Sequence, residues 1–166
     1  MGILIFWKVV VNWLQVWEGI DDNQATKQDL TWLVEGMKNR TLIWVTDGSY
    51  DKLRANDLSG VGWVLLCTRT GKRLTGWCWE RSITADSYRA EMLGLCSLHL
   101  LARALSEYYK ITKWEITISC DNKGALDCSS YHQRRIKPSA KCADIGAMVR
   151  RYLRTAIVGR YVCYEM

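Results

Sequence analysis

Apolar and polar positions keep changing their rhythm along this chain, and each change marks an element. The apolar run Leu42-Ile43-Trp44-Val45 closes on Asp47-Gly48 and reads as a buried strand ending in a turn. Residues 62–67 and 72–79 read as a second and third strand, joined by a hairpin at Arg69-Thr70-Gly71, so an antiparallel meander is predicted. Helical spacing then takes over. Met92, Leu95, Cys96, Leu100 and Leu101 recur on one face of a segment running from a cap at Asp86 or Ser87 to about Tyr109. Residues 114–120 alternate and are β-branched, which predicts a fourth strand, and a helix follows over 122–130. A further helix is predicted over 139–155, capped by Ser139, and a fifth strand over 160–164.

Ahead of this pattern the chain behaves differently. Residues 1–17 are strongly apolar, yet Lys8 interrupts them, no basic start precedes them and no small-residue cleavage site follows, which argues against a signal peptide. The uninterrupted stretch is also too short to span a bilayer. An acidic, turn-prone segment at 18–23 leads to a predicted short helix over 25–37, with Leu30, Leu33, Val34 and Met37 along one face. Residues 1–40 are therefore expected to be an N-terminal extension or the remnant of a preceding domain, with the main domain at 41–166.

Composition narrows the class. A hydrophobic content of 49% with 24% charged residues is globular. Nine Trp and eight Tyr against one Phe imply that many buried rings need a polar partner. Trp44, Trp63, Trp77, Trp79 and Trp114 are expected in the core and on the sheet surface. The chain's net charge of +6 arises in residues 41–166, which hold 19 Lys/Arg against 12 Asp/Glu, whereas 1–40 hold four against five. A basic domain suits a polyanionic partner. The seven cysteines are scattered singly with only two histidines, His99 and His132, so neither a zinc site nor a disulfide framework is readable and reduced thiols in an intracellular protein are expected.

Candidate chemistry lies in three acids: Asp47 in Val45-Thr46-Asp47-Gly48-Ser49, Glu91 in Tyr88-Arg89-Ala90-Glu91 and Asp121 in Ile118-Ser119-Cys120-Asp121-Asn122. Two are predicted at strand ends and one near a helix start, so all three converge on one point. Taken singly, Asp47-Gly48 is a turn, Glu91 a first-turn helix acid and Asp121-Asn122 a helix cap. Brought together, like charges are costly unless cations neutralise them, which points to divalent-metal-assisted attack on a phosphodiester.

The motifs Thr46-Asp47-Gly48-Ser49, Tyr88-Arg89-Ala90-Glu91-Met92-Leu93-Gly94-Leu95 and Cys120-Asp121-Asn122-Lys123-Gly124-Ala125-Leu126, in the element order β-β-β-α-β-α-α-β, resemble the ribonuclease H family over residues 41–166. The glutamate comes second of the three acids, unlike the order in integrases and similar transposases. Tyr50-Asp51 after the serine and Ser87-Tyr88-Arg89 before the alanine look most like retroelement forms associated with reverse transcriptases. The resemblance implies an α/β fold with a five-stranded mixed sheet flanked by helices. It implies two magnesium or manganese ions about 4 Å apart, held by Asp47, Glu91 and Asp121 as catalytic and metal-binding residues. It also implies cleavage of the RNA strand of an RNA–DNA hybrid, read mainly by shape and 2′-hydroxyls. Gly48, Ser49, Ser87, Tyr88, Arg89, Asn122, Arg134, Arg135 and Lys137 are the expected substrate contacts; no membrane partner is expected.

The sequence departs from the family pattern in two places. A fourth carboxylate and a loop histidine normally follow the fifth strand, whereas this sequence ends at Met166, so the expectation is a domain lacking its final segment. Asp144 precedes that strand and is expected to serve its helix dipole rather than a metal. Ser87-Tyr88 stands where relatives often carry an Asn-Gln pair, and Tyr cannot reproduce an amide fork. The alternative expectation is therefore a catalytically inactive module of the same fold that binds nucleic acid or protein, or a fold fragment completed by another chain.

Overall fold

The computed structural model describes residues 30–130 and 142–153. The predicted fifth strand at 160–164, the basic loop with Arg134, Arg135 and Lys137, and most of residues 1–40 lie outside them. In chain order the elements are α1 (Thr31–Asn39), β1 (Leu42–Tyr50), β2 (Leu58–Cys67), β3 (Arg73–Arg81), α2 (Ser87–Tyr109), β4 (Thr117–Cys120), α3 (Lys123–Ser130) and α4 (Ala143–Leu153). The fold is α/β, with a mixed four-stranded sheet in the order β3-β2-β1-β4. The meander pairs antiparallel and β4 joins β1 in parallel, the arrangement a helical crossover demands.

Strand alternation decides where the core lies. On β1 Leu42, Trp44 and Thr46 are buried, and their partners Cys67, Leu65 and Trp63 on β2 are buried with them. Residues sharing a cross-strand row share a face. This face carries α2, whose Leu95, Leu98, Leu101 and Leu105 are buried in the same cluster. α3 and α4 pack on α2, and α1 adds Leu30, Trp32, Leu33 and Met37 to the same core. Trp44 and Trp63 stack at 4.4 Å between ring centroids, and Gly76 makes room for them: a Cβ there would lie 2.2 Å from the Trp63 ring. No described helix is long and apolar enough to cross a membrane.

Strand bounds differ from expectation: β2 begins at Leu58 rather than 62, β3 runs on to Arg81 rather than 79, and two further differences have visible causes. β1 does not end in a turn at Asp47-Gly48 but continues to Tyr50, because the polar Asp47-Gly48-Ser49-Tyr50 stretch keeps pairing with Ser59 to Gly62 of β2. Only the parallel pairing with β4 stops there, its last partners being Thr46 and Cys120. β4 is shorter than predicted, because the backbone N–H of Glu115 donates to Met37 O at 3.1 Å and ties the preceding residues to α1.

α2 lies unusually close to β1. A Cβ on Gly94 would sit 2.0 Å from Thr46 Oγ1 and 2.8 Å from Val61 Cγ2, so glycine is required despite its cost inside a helix. Gly94→Ala gains helix propensity but overpacks this contact, and a net loss of about 1–2 kcal/mol is expected in denaturant unfolding. Adding Thr46→Ala to it should recover part of that loss; a neutral or stabilising Gly94→Ala would contradict the close approach.

Candidate functional site

The approach of α2 delivers Glu91. Asp86 caps the helix, its Oδ1 accepting the Arg89 backbone N–H at 2.7 Å, and Glu91 follows just past the first turn. The residue is 3% exposed. Oε1 accepts the Gly48 N–H at 2.5 Å, and Oε2 accepts from the Cys120 thiol at 3.2 Å. Gly48 is required here too, since a Cβ would lie 2.7 Å from Glu91 Oε1 and 2.9 Å from Ala90 Cβ.

Asp121 directly follows β4, as predicted, and is exposed. Ligand atoms of Glu91, Cys120 and Asp121 all lie within 4.8 Å of one another. Asp47 is exposed on β1, one residue beyond the Thr46–Cys120 pair, and stands outside that tight group. It still bears on it: burial pushes the Glu91 carboxyl above its ordinary range, the Gly48 N–H and Cys120 thiol oppose the rise, and the charges of Asp121 and Asp47 add to it. Cys120 is pushed up to about 12, first by burial and then by the neighbouring Glu91, so it stays a thiol that can donate to the carboxylate. The motif reading missed Cys120 as a neighbour of Glu91; the signal available was strand alternation, which turns residue 120 to the face that α2 covers.

Carboxylate oxygens suit a hard divalent cation. A carboxylate raised by burial and by two nearby acids is also a site that a cation would stabilise. The carboxylates of Glu91 and Asp121 could therefore hold a divalent cation, with Asp47 outside their tight group.

The expected substrate contacts divide. Ser49 and Ser87 are exposed beside the acids, and Gly48 is half-buried against Glu91. Asn122 caps α3, its Oδ1 accepting the Ala125 N–H at 3.1 Å. Tyr88 is half-buried, 3.5 Å from where a Gly124 Cβ would stand. Arg89 is committed inside the protein: it pairs with Glu80 of β3 and places NH1 and NH2 at 3.0 and 2.8 Å from the two Asp144 oxygens. Asp144 is thus occupied by a cation rather than turned to the acids. His99, expected to be structural, is buried on α2.

No protein-family model matches the chain, and no curated protein matches it. Solved structures do. The RNase H1 of the halophilic archaeon Halobacterium salinarum NRC-1 is similar at a TM-score of 0.50 and 16% identity, over 74% of this chain and 84% of that one. LC9-RNase H1, described as a type 1 RNase H with the type 2 active-site motif, is similar at 0.54 and 12% identity, over 74% of this chain and 62% of that one. The protease-reverse transcriptase of prototype foamy virus is similar at 0.52 and 14% identity, over 75% of this chain but 17% of that one. The described chain has the ribonuclease H fold.

The Arg89 cluster makes a pH-dependent contribution. The Arg89 hydrogen bonds hold the Asp144 carboxyl below its ordinary range, so its stabilisation is present above the unfolded carboxylate pKa and is lost as pH falls through the lower folded value. The Asp144 side chain is 62% exposed, and solvent screening limits the pair to about 0.5–1 kcal/mol. Asp144→Asn should lower stability by that amount at pH 7, with the gap closing as pH falls through and below the ordinary carboxylate range. Urea unfolding across that range checks this, and a gap that widens toward acid would contradict it.

Proposed function

We propose that this chain is a ribonuclease-H-like nuclease domain of retroelement type that cleaves the RNA strand of an RNA–DNA hybrid, using magnesium or manganese held by Asp47, Glu91 and Asp121. The observation that carries this reading is the buried Glu91 carboxylate, fixed beside Asp121 by Gly48 and Cys120. A divalent cation held by these carboxylates would supply charge stabilisation at a phosphodiester and acidify a bound water. Asp47 and Asp121 are exposed while Glu91 is buried, which supports a reading in which the two exposed acids meet the substrate. Ser49 and Ser87, both exposed, are read as contacts to the backbone of the hybrid, and Arg134, Arg135 and Lys137 as phosphate contacts. Arg89 serves by position, holding the start of α2 against β3 and α4.

A specific observation favours the alternative of a non-catalytic binding module: both Glu91 oxygens already have partners within the protein. A labelled RNA–DNA hybrid incubated with the chain and magnesium or manganese separates the two. Metal-dependent cleavage that falls at least about 100-fold in Asp121→Asn is expected. Cleavage no greater than in that variant would establish the binding module instead.

A further inference from the structure

The face of the sheet opposite α2 carries none of the described helices and has its own composition. Cross-strand rows on it run Ile43–Leu66–Arg73, Val45–Val64–Thr75, Asp47–Gly62–Trp77 and Ser49–Gly60–Trp79. Trp77 and Trp79 are 49% and 43% exposed, while Trp44, Trp63 and Trp114 are buried. Between the two rings and the acid-bearing strand, β2 offers only Gly60 and Gly62. A Cβ at Gly62 would meet nothing within 4 Å, and one at Gly60 only the Cys78 carbonyl oxygen at 3.7 Å. The result is a trough with a glycine floor, tryptophans on one side and Asp47 and Ser49 on the other.

We infer that this trough binds an unpaired, extended stretch of nucleic acid by stacking its bases on Trp77 and Trp79. Spacing and charge support this occupant. Two residues along a strand span about 6.6 Å, roughly twice the 3.4 Å rise between stacked bases in a duplex, so the platform suits successive bases of an unstacked strand. Every base has a π-face, and exposed aromatic rings on a sheet surface are a recurring way to hold one. Both ends of the β3 stripe are basic: Arg73 is exposed, and Arg81 is 66% exposed although paired with Asp57. Glu80, the acid of β3, lies on the other face and pairs with Arg89. Two strand spacings, about 10 Å, separate the Trp77 position from that of Asp47, so a strand lying on the rings reaches the acids within a nucleotide or two.

This inference rests on the nucleic-acid reading above and adds a second, single-stranded element to its substrate. The test is fluorescence anisotropy of labelled ten-nucleotide oligo-dT and oligo-U with the full chain, beside Trp77→Ala, Trp79→Ala, Gly62→Ile and Asp121→Asn. Each tryptophan variant should weaken binding about tenfold or more. Gly62→Ile fills the trough without removing an aromatic ring and should also weaken binding while thermal stability holds, which covers the case of a tryptophan variant that fails to fold. An unmutated chain that binds the oligonucleotides but does not cleave the hybrid would sink the nuclease reading and leave this one standing, and Asp121→Asn tells whether binding depends on the acids. Equal weakening for oligo-dT and oligo-U supports a base-stacking track shared by both, and weakening confined to oligo-U supports one reserved for RNA. Unchanged binding in all trough variants would overturn the inference. So would unchanged binding with a large loss of stability in the tryptophan variants, which would assign the face to another part of the protein.

Discussion

The acidic site depends on the close approach of α2 to β1. Gly48 and Gly94 permit it: one lets Glu91 and Ala90 lie against the strand, the other lets Thr46 and Val61 lie against the helix. Side chains at either position would push the helix outward. Close packing propagates such shifts rather than absorbing them, because interiors hold little free volume. The approach converts an acid just past the first turn of α2, which would ordinarily face water, into a buried carboxylate with two fixed partners.

That burial is unfavourable by itself and is offset locally. The Gly48 N–H and Cys120 thiol supply hydrogen bonds to Glu91, but Asp121 and Asp47 oppose its ionisation. The tension is the physical content of the site. Next door, Arg89 shows the opposite solution: its side chain is 10% exposed, and hydrogen bonds to Asp144 and Glu80 favour its charged form by more than desolvation opposes it. One helix start thus carries a satisfied cation and, two residues on, an anion that a divalent cation would stabilise.

Much of this was legible in the chain, and its limits are instructive. Helical spacing and the Asp86 cap located α2, and the three acids were readable because each sits at a local boundary signal. Asp47-Gly48 was misread as a strand end because glycine beside aspartate is the usual mark of a turn; pairing with β2, invisible locally, carries the strand to Tyr50. Arg89 was read as a substrate contact from its place beside Glu91. Its partner Asp144 lies 55 residues away, a separation that no local pattern reports. Cys120 became a neighbour of Glu91 only once the helix-covered face of β4 was known. The exposed tryptophans were expected on the sheet surface, yet their alignment with Gly60, Gly62 and Asp47 required the register.

The central claim is that Glu91, Asp121 and Asp47 form a cation site rather than a coincidence of acids. Anomalous diffraction from crystals grown with manganese tests it most directly. The account predicts a peak coordinated by Glu91 and Asp121, with Asp47 drawn toward it. Ordered carboxylates with no peak among them at saturating manganese would contradict it.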